Sequence, residues 1–118
     1  MPKIIRIKKI VDDRGSLTVF EKNIPFKIKR VFVLSNLKKN RGGHKHKKTI
    51  LAISVFNGSC KIDIFFKKRK KTFILNKPGK CLIIYKNEWH LLRKISKYAT
   101  IVVLASQFFK KNDYIDEK

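Results

Sequence analysis

Apolar and polar residues alternate with a two-residue period along most of this chain, and no long stretch keeps helical spacing. Residues 5–11 read as a first strand, closed by the turn signal Asp12-Asp13-Arg14-Gly15 and followed by a short strand over 16–20. Over 27–35, Ile28, Arg30, Phe32 and Leu34 fall on one face and Lys29, Val31 and Val33 on the other. A loop over 36–43 leads into a strand-forming stretch over 44–56. Asn57-Gly58 is a hairpin signal between strands at 50–56 and 60–66. The run Lys67-Lys68-Arg69-Lys70-Lys71 reads as a solvated loop ahead of a strand at 72–75, and Asn76-Lys77-Pro78-Gly79 as a turn. Strongly apolar strands are expected at 81–85 and 99–105, with Trp89-His90 at the turn between them. The polar tail from Phe108 is expected to pack against the outside or to fray. Eight or more short strands with regular turn signals predict an all-β fold, a small barrel or jelly roll.

Composition narrows what such a fold does. The 118 residues suit one compact domain, and 43% apolar content argues against disorder. Thirty Lys and Arg against eight Asp and Glu give a formal net charge of +22, the electrostatic footprint of a nucleic-acid binder. The excess is mostly scattered lysine, however, and arginine, the better residue for bidentate contacts, occurs only at positions 6, 14, 30, 41, 69 and 93. A compositional bias is the better reading, with a surface that steers anionic small molecules inward. No nucleic acid is expected as partner. No apolar run reaches the ~18 residues of a membrane span, and the start of the chain lacks a signal-peptide core. A cytoplasmic protein without membrane attachment is expected, with Cys60 and Cys81 as reduced thiols.

The chemistry concentrates at three histidines. His44 and His46 lie two apart, so on a strand both imidazoles leave one face while Lys45 leaves the other. His90 follows Trp89, itself expected to pack at the barrel mouth. Two bases on one face, flanked by Arg41, Lys45 and Lys47, suit proton abstraction beside a carbonyl. The same imidazoles are also a possible start of a metal site.

In spacing, the block from His44 resembles the first signature of the cupin barrels. There a His-x-His pair is followed by four residues, a Glu, six residues and a Gly. Here Leu51 stands at the carboxylate position and Gly58 at the glycine, while Pro78, Gly79 and His90 match the second signature loosely. Without the carboxylate, and with cations nearby, a dication meets unfavourable electrostatics, so no metal is expected. Across nearly its whole length the chain is further similar to the sugar 3,4-ketoisomerases, cupin enzymes acting on dTDP-4-keto-6-deoxyglucose. The matching stretches are Asp13-Arg14-Gly15-Ser16-Leu17, Ile24-Pro25-Phe26, Ile28-Lys29-Arg30-Val31, Arg41-Gly42 with His44, His46 and Lys47, Asn57-Gly58-Ser59-Cys60, Trp89-His90, Val103-Leu104-Ala105-Ser106 and Asp113-Tyr114-Ile115.

This resemblance implies a single cupin domain over residues 1–118, a jelly-roll (double-stranded β-helix) barrel. It implies an isomerase that moves a ketone from C4 to C3 of a dTDP-linked 4-keto-6-deoxyhexose without any cofactor. His44 and His46 become the proton-handling pair, and Arg14, Arg30, Arg41, Lys47 and His90 the contacts to the nucleotide sugar. Arg14 together with His90 points to a galacto-configured 3-keto product, precursor of a 3-amino-3,6-dideoxy sugar. Phe32 and Val33 stand where family members often carry tyrosines, Leu51 replaces a frequent Gln, and Asp116 follows Asp-Tyr-Ile where an Arg is usual. A homodimer with an exchanged N-terminal strand is expected, because small barrels cover exposed strand edges by pairing between subunits. The competing readings are a nucleotide-sugar epimerase of the same barrel class and a basic nucleic-acid-binding barrel.

Overall fold

The alternating segments fold into two five-stranded antiparallel sheets and a separate hairpin in the computed structural model, which describes residues 1–118. The first sheet runs, in spatial order, β1 (Lys3–Arg6), β9 (Lys80–Ile84), β6 (Leu51–Phe56), β11 (Thr100–Ala105) and β4 (Arg30–Leu34). The second runs β12 (Tyr114–Ile115), β5 (Arg41–His46), β10 (Trp89–Arg93), β7 (Cys60–Phe66) and β8 (Arg69–Leu75). The hairpin is β2 (Lys8–Asp12) with β3 (Gly15–Val19), and it pairs with neither sheet. This is the all-β jelly roll that the sequence predicts. No helix is long and apolar enough to cross a membrane.

Side chains from both sheets meet in a 14-residue core that includes Leu51, Ile53 and Val55 of β6 and Ile62 and Ile64 of β7. A second, smaller cluster of Ala52, Cys81, Ile83 and Leu104 lies on the other face of the first sheet, under Ile7 and Ile24. Both faces of β6 and β9 are therefore covered, which explains why these strands read as unbroken apolar runs rather than alternating ones. Cys60 and Cys81 are buried free thiols, and burial pushes each up to about 11. On β4 the alternation holds as expected: Phe32 and Leu34 pack inward while Val31 and Val33 face out, each 56% exposed.

Several local expectations need correction. Residues 44–56 are two strands, since the chain leaves the second sheet after His46 and enters the first at Leu51. Asn57-Gly58 does not close a hairpin, because β6 pairs with β9 and β11 whereas β7 pairs with β8 and β10. The turn carries the chain between sheets, with Asn57 in the left-handed region at φ 57°. The tight hairpin forms instead at Lys67 and Lys68, both at positive φ (49° and 65°), so the basic run is a turn plus the start of β8. Trp89 and His90 lie within a strand rather than at a turn. The first strand breaks at Ile7, whose buried side chain and amide bond to the Gly79 carbonyl (2.9 Å) tie it to the barrel before the hairpin projects.

Candidate active site

Between the sheets, at the end where β5 and β10 lie side by side, is a cavity of about 160 Å³. Phe32, Leu34, Leu51, Ile53, Leu92 and Val103 give it apolar walls, and Arg41, His44, His46, His90 and Tyr114 supply the polar groups. Strand alternation puts His44 and His46 on the same face of β5, and register sets His90 of β10 directly opposite His44. The ring centroids of His44 lie 5.2 Å from His46 and 4.9 Å from His90, and His46 and His90 are near parallel at 5.8 Å. Gly42 makes this approach possible. Its φ is +92°, and a Cβ there would come within 2.9 Å of the His90 carbonyl oxygen, beside the register irregularity between His90 and Leu91.

The tail, expected on the outside, completes the site. Tyr114 and Ile115 pair with His46 and Lys45 as an edge strand, and the preceding 3-10 turn (Lys111–Asp113) points Asp113 inward. The Asp113 carboxylate is buried and accepts from His46 Nδ1 (2.9 Å), the Lys48 amide (2.8 Å) and Thr49 Oγ1 (2.5 Å). Burial alone pushes this carboxyl up, and the bonds from Thr49, Lys48 and His46 together outweigh it, leaving it below its ordinary value. Trp89 anchors the far end of the tail, its indole Nε1 donating to the Asp116 carbonyl at 2.8 Å.

Each imidazole is held toward its neutral form. Burial pushes His46 down, Asp113 opposes this only in part, and Arg30 adds to the depression. His44 is lowered by burial and then by the charge that His46 can carry, with Arg41 contributing in the same direction. His90 is pushed down to about 3, chiefly by burial and next by His44. At neutral pH the His46–Asp113 contact is therefore a charge-assisted hydrogen bond rather than an ion pair. An ionised carboxylate only accepts, so His46 carries its proton on Nδ1 and leaves the Nε2 lone pair free. The Nδ1 contact of His90 with the Glu88 carbonyl (3.3 Å) fixes the same tautomer there.

The structure gathers His44, His46, His90 and Arg41 at one cavity. Arg30 stands near enough to His46 to depress it, with its guanidinium over the rings of Phe32 (5.2 Å) and Phe109 (5.7 Å) and a buried Nε that has no partner. Two expected contacts are not brought in. Lys47 is exposed and lines a separate cleft of about 260 Å³ with Lys48, Gln107 and Lys110, because β5 ends at His46 and the chain turns away. Arg14 sits at the tip of the β2–β3 hairpin, its side chain 87% exposed and paired with Asp12 at 2.6 Å. Sequence reasoning missed Asp113 and Tyr114 as site residues; the available signal was the matching Asp-Tyr-Ile triplet in an otherwise polar tail.

One nitrogen from each histidine falls within 4.8 Å of the others, a donor set that zinc accepts. The surrounding charges oppose a cation. Leu51 occupies the wall where a carboxylate ligand would stand, and Arg30 and Arg41 both depress the histidines they face.

The chain matches the family described as FdtA: WxcM-like, C-terminal, over residues 1–118. It is 38% identical over 117 residues to a TDP-4-oxo-6-deoxy-alpha-D-glucose-3,4-oxoisomerase of Aneurinibacillus thermoaerophilus, covering 96% of this chain and 84% of that protein. Among solved structures it superposes on a 3,4-ketoisomerase from Helicobacter canadensis with a TM-score of 0.93 at 38% identity, covering 98% of this chain and 90% of the other. A mutant 3,4-ketoisomerase from Thermoanaerobacterium thermosaccharolyticum, with a histidine replaced by asparagine and in complex with TDP-4-keto-6-deoxyglucose, gives 0.92 at 33% identity. That match covers 98% of this chain and 87% of the other.

Proposed function

The chain belongs to the FdtA (WxcM-like, C-terminal) family, and we propose that it is a 3,4-ketoisomerase acting on dTDP-4-keto-6-deoxy-D-glucose. The observation that carries the chemistry is the Asp113–His46 pair, which leaves a basic Nε2 at a half-apolar cavity. His46 takes the proton from C3, made acidic by the C4 carbonyl, and the electrons of that bond form an enediolate. Asp113 stabilises the imidazolium that results. Charge on His46 disfavours protonation of His44, so the pair holds one proton at a time; that proton exchanges with solvent, and a proton is then delivered to carbon at C4. Arg41 and Arg30 place positive charge near the developing oxyanion, a kind of arrangement that contributes on the order of several kcal/mol. No metal takes part in this scheme.

The test is incubation of the chelator-treated protein with dTDP-4-keto-6-deoxyglucose in D2O, followed by NMR. A ketone moved to C3 with loss of the original C3 proton to solvent is expected; inversion of a centre with the ketone still at C4 would assign an epimerase instead. Arg14 and His90 support a galacto-configured product, which a separate aminotransferase would convert to a 3-amino-3,6-dideoxy sugar in the cytoplasm. The basic surface serves to steer the anionic substrate, with no role for nucleic acid.

The working unit is a homodimer in which the hairpin is exchanged. β4 is an edge strand with outward Val31 and Val33, and the hairpin exposes Ile10, Val11 and Leu17. Adding one subunit's hairpin to the partner's β4 would cover both apolar surfaces and an open ladder. Because β4 also contributes Phe32 and Leu34 to the cavity, the exchange would bring Arg14 to the partner's site. Light scattering is expected to give twice the 13.9 kDa chain mass. Arg14→Ala should raise KM by about tenfold or more with the dimer intact, the loss of one charge-assisted contact to substrate. A monomer at micromolar concentration, or an unchanged KM, contradicts the exchange.

A further inference from the structure

Moving a ketone between adjacent carbons moves two protons, and the histidine pair accounts for one of them. The substrate carries C4=O4 beside H–C3–O3–H; the product carries C3=O3 beside H–C4–O4–H. The carbon-bound proton passes through His46, but a hydroxyl proton must also leave O3 and arrive at O4. We propose that Tyr114 is a further catalytic residue whose hydroxyl relays this second proton, an inference that rests on the ketoisomerase reading.

The cavity wall leaves few other groups for the task. Arg41 only donates, and Phe32, the other aromatic on the wall, has no hydroxyl. His46 is engaged with the carbon proton, and His90, tied through Nδ1 to the Glu88 carbonyl, presents a nitrogen that only accepts. An imidazole donates from one nitrogen and accepts at the other, on opposite sides of the ring. A phenolic oxygen does both at one atom, which suits two oxygens on adjacent carbons.

Tyr114 is also placed for it. It pairs with His46 in the strand register, its ring centroid lies 4.5 Å from His46 and 4.8 Å from His44, and its hydroxyl has no protein partner. Both sides of this short strand are fastened. The Asp113 carbonyl accepts from the Lys47 amide (3.0 Å) and the Asp116 carbonyl from the Trp89 indole (2.8 Å). In the enediolate, Tyr114 Oη gives its proton to the O4 oxyanion as it takes the proton of O3–H. The phenol is regenerated, the negative charge now lies on O3, and collapse to C3=O3 draws the imidazolium proton onto C4. No oxidant or further reactant is consumed.

The experiment compares native protein with Tyr114→Phe in D2O, following C3 proton wash-out and product formation separately. Product formation should fall at least about 100-fold with KM nearly unchanged, while wash-out at C3 continues. Since the hydroxyl has no partner within the protein, the variant's melting midpoint should match that of the native chain. Placing 3-fluorotyrosine at 114 supplies an independent reading: its more acidic phenol should move the alkaline limb of turnover to lower pH. Product formation within about threefold of native, or wash-out falling in step with it, overturns the relay. So does an alkaline limb that ignores the fluorine. If native protein forms no 3-keto product at all, the ketoisomerase reading and the relay both fall; an active native protein beside an equally active variant removes the relay alone.

Discussion

His46→Asn is expected to lower turnover by about 10³-fold or more while dTDP still binds, since a positioned general base contributes typically 10²–10⁴-fold. The substitution is chosen to spare the fold. An asparagine NH2 can still donate to Asp113, so the buried carboxylate keeps three donors, including Lys48 and Thr49. What disappears is the lone pair at Nε2, and no other group replaces it. His90 is held neutral by a depression to about 3, and His44 lacks a carboxylate partner of its own. Loss of C3 proton wash-out in parallel with turnover distinguishes this variant from Tyr114→Phe, in which wash-out should persist. Binding is read by titration with dTDP, since the arginines proposed to contact the nucleotide sugar are left in place by the substitution. Retention of wash-out at the native rate would move the base to another residue.

The fold class was legible because period-two alternation survives wherever a strand is covered on one side, as in β4 with Phe32 and Leu34 in and Val31 and Val33 out. The pairing of strands was not. Asn57-Gly58 and Lys67-Lys68 show why: both turns need left-handed backbone, yet the favourable Asn-Gly spans the two sheets while two lysines close the hairpin. Turn preference is a local quantity, and which strand lies across the turn is decided by burial of both faces of β6. Likewise His44 and His46 were readable from their spacing, whereas their relation to His90 depends on a register set by Gly42 against the His90 carbonyl. Asp113 was hidden for a different reason. One of three carboxylates in a polar tail looks solvated until its three donors, 64 to 67 residues away along the chain, are seen to converge on it. Arg14 shows the remaining limit, since one chain does not bring it to the cavity.

Asp113→Asn should have the second-largest effect, and its pH signature separates a positioning role from simple loss of structure. Three donors converge on the native carboxylate, and an asparagine can offer them one oxygen while turning an NH2 toward at least one. Stability is expected to fall by about 2–3 kcal/mol, the scale of hydrogen bonds to a buried charged group. The melting midpoint should then drop by roughly 10 °C. The folded-state carboxyl lies below its unfolded value, so its contribution is present above roughly pH 4 and fades as pH falls through the folded value. The difference in stability between native and variant should accordingly narrow in acid. In catalysis the sign is opposite to that of a lost acid. The reactive form of His46 is the free base, so kcat/KM of the native enzyme rises with pH along a limb centred below the ordinary histidine value. Asp113 raises that value against burial and Arg30, so removing its charge should shift the limb to still lower pH. Turnover on the plateau should fall by about 10²-fold, as the imidazolium loses its counter-charge and the ring its fixed tautomer. A variant that is merely less stable would keep the native limb at reduced amplitude, and that result would deny Asp113 any part in setting the base.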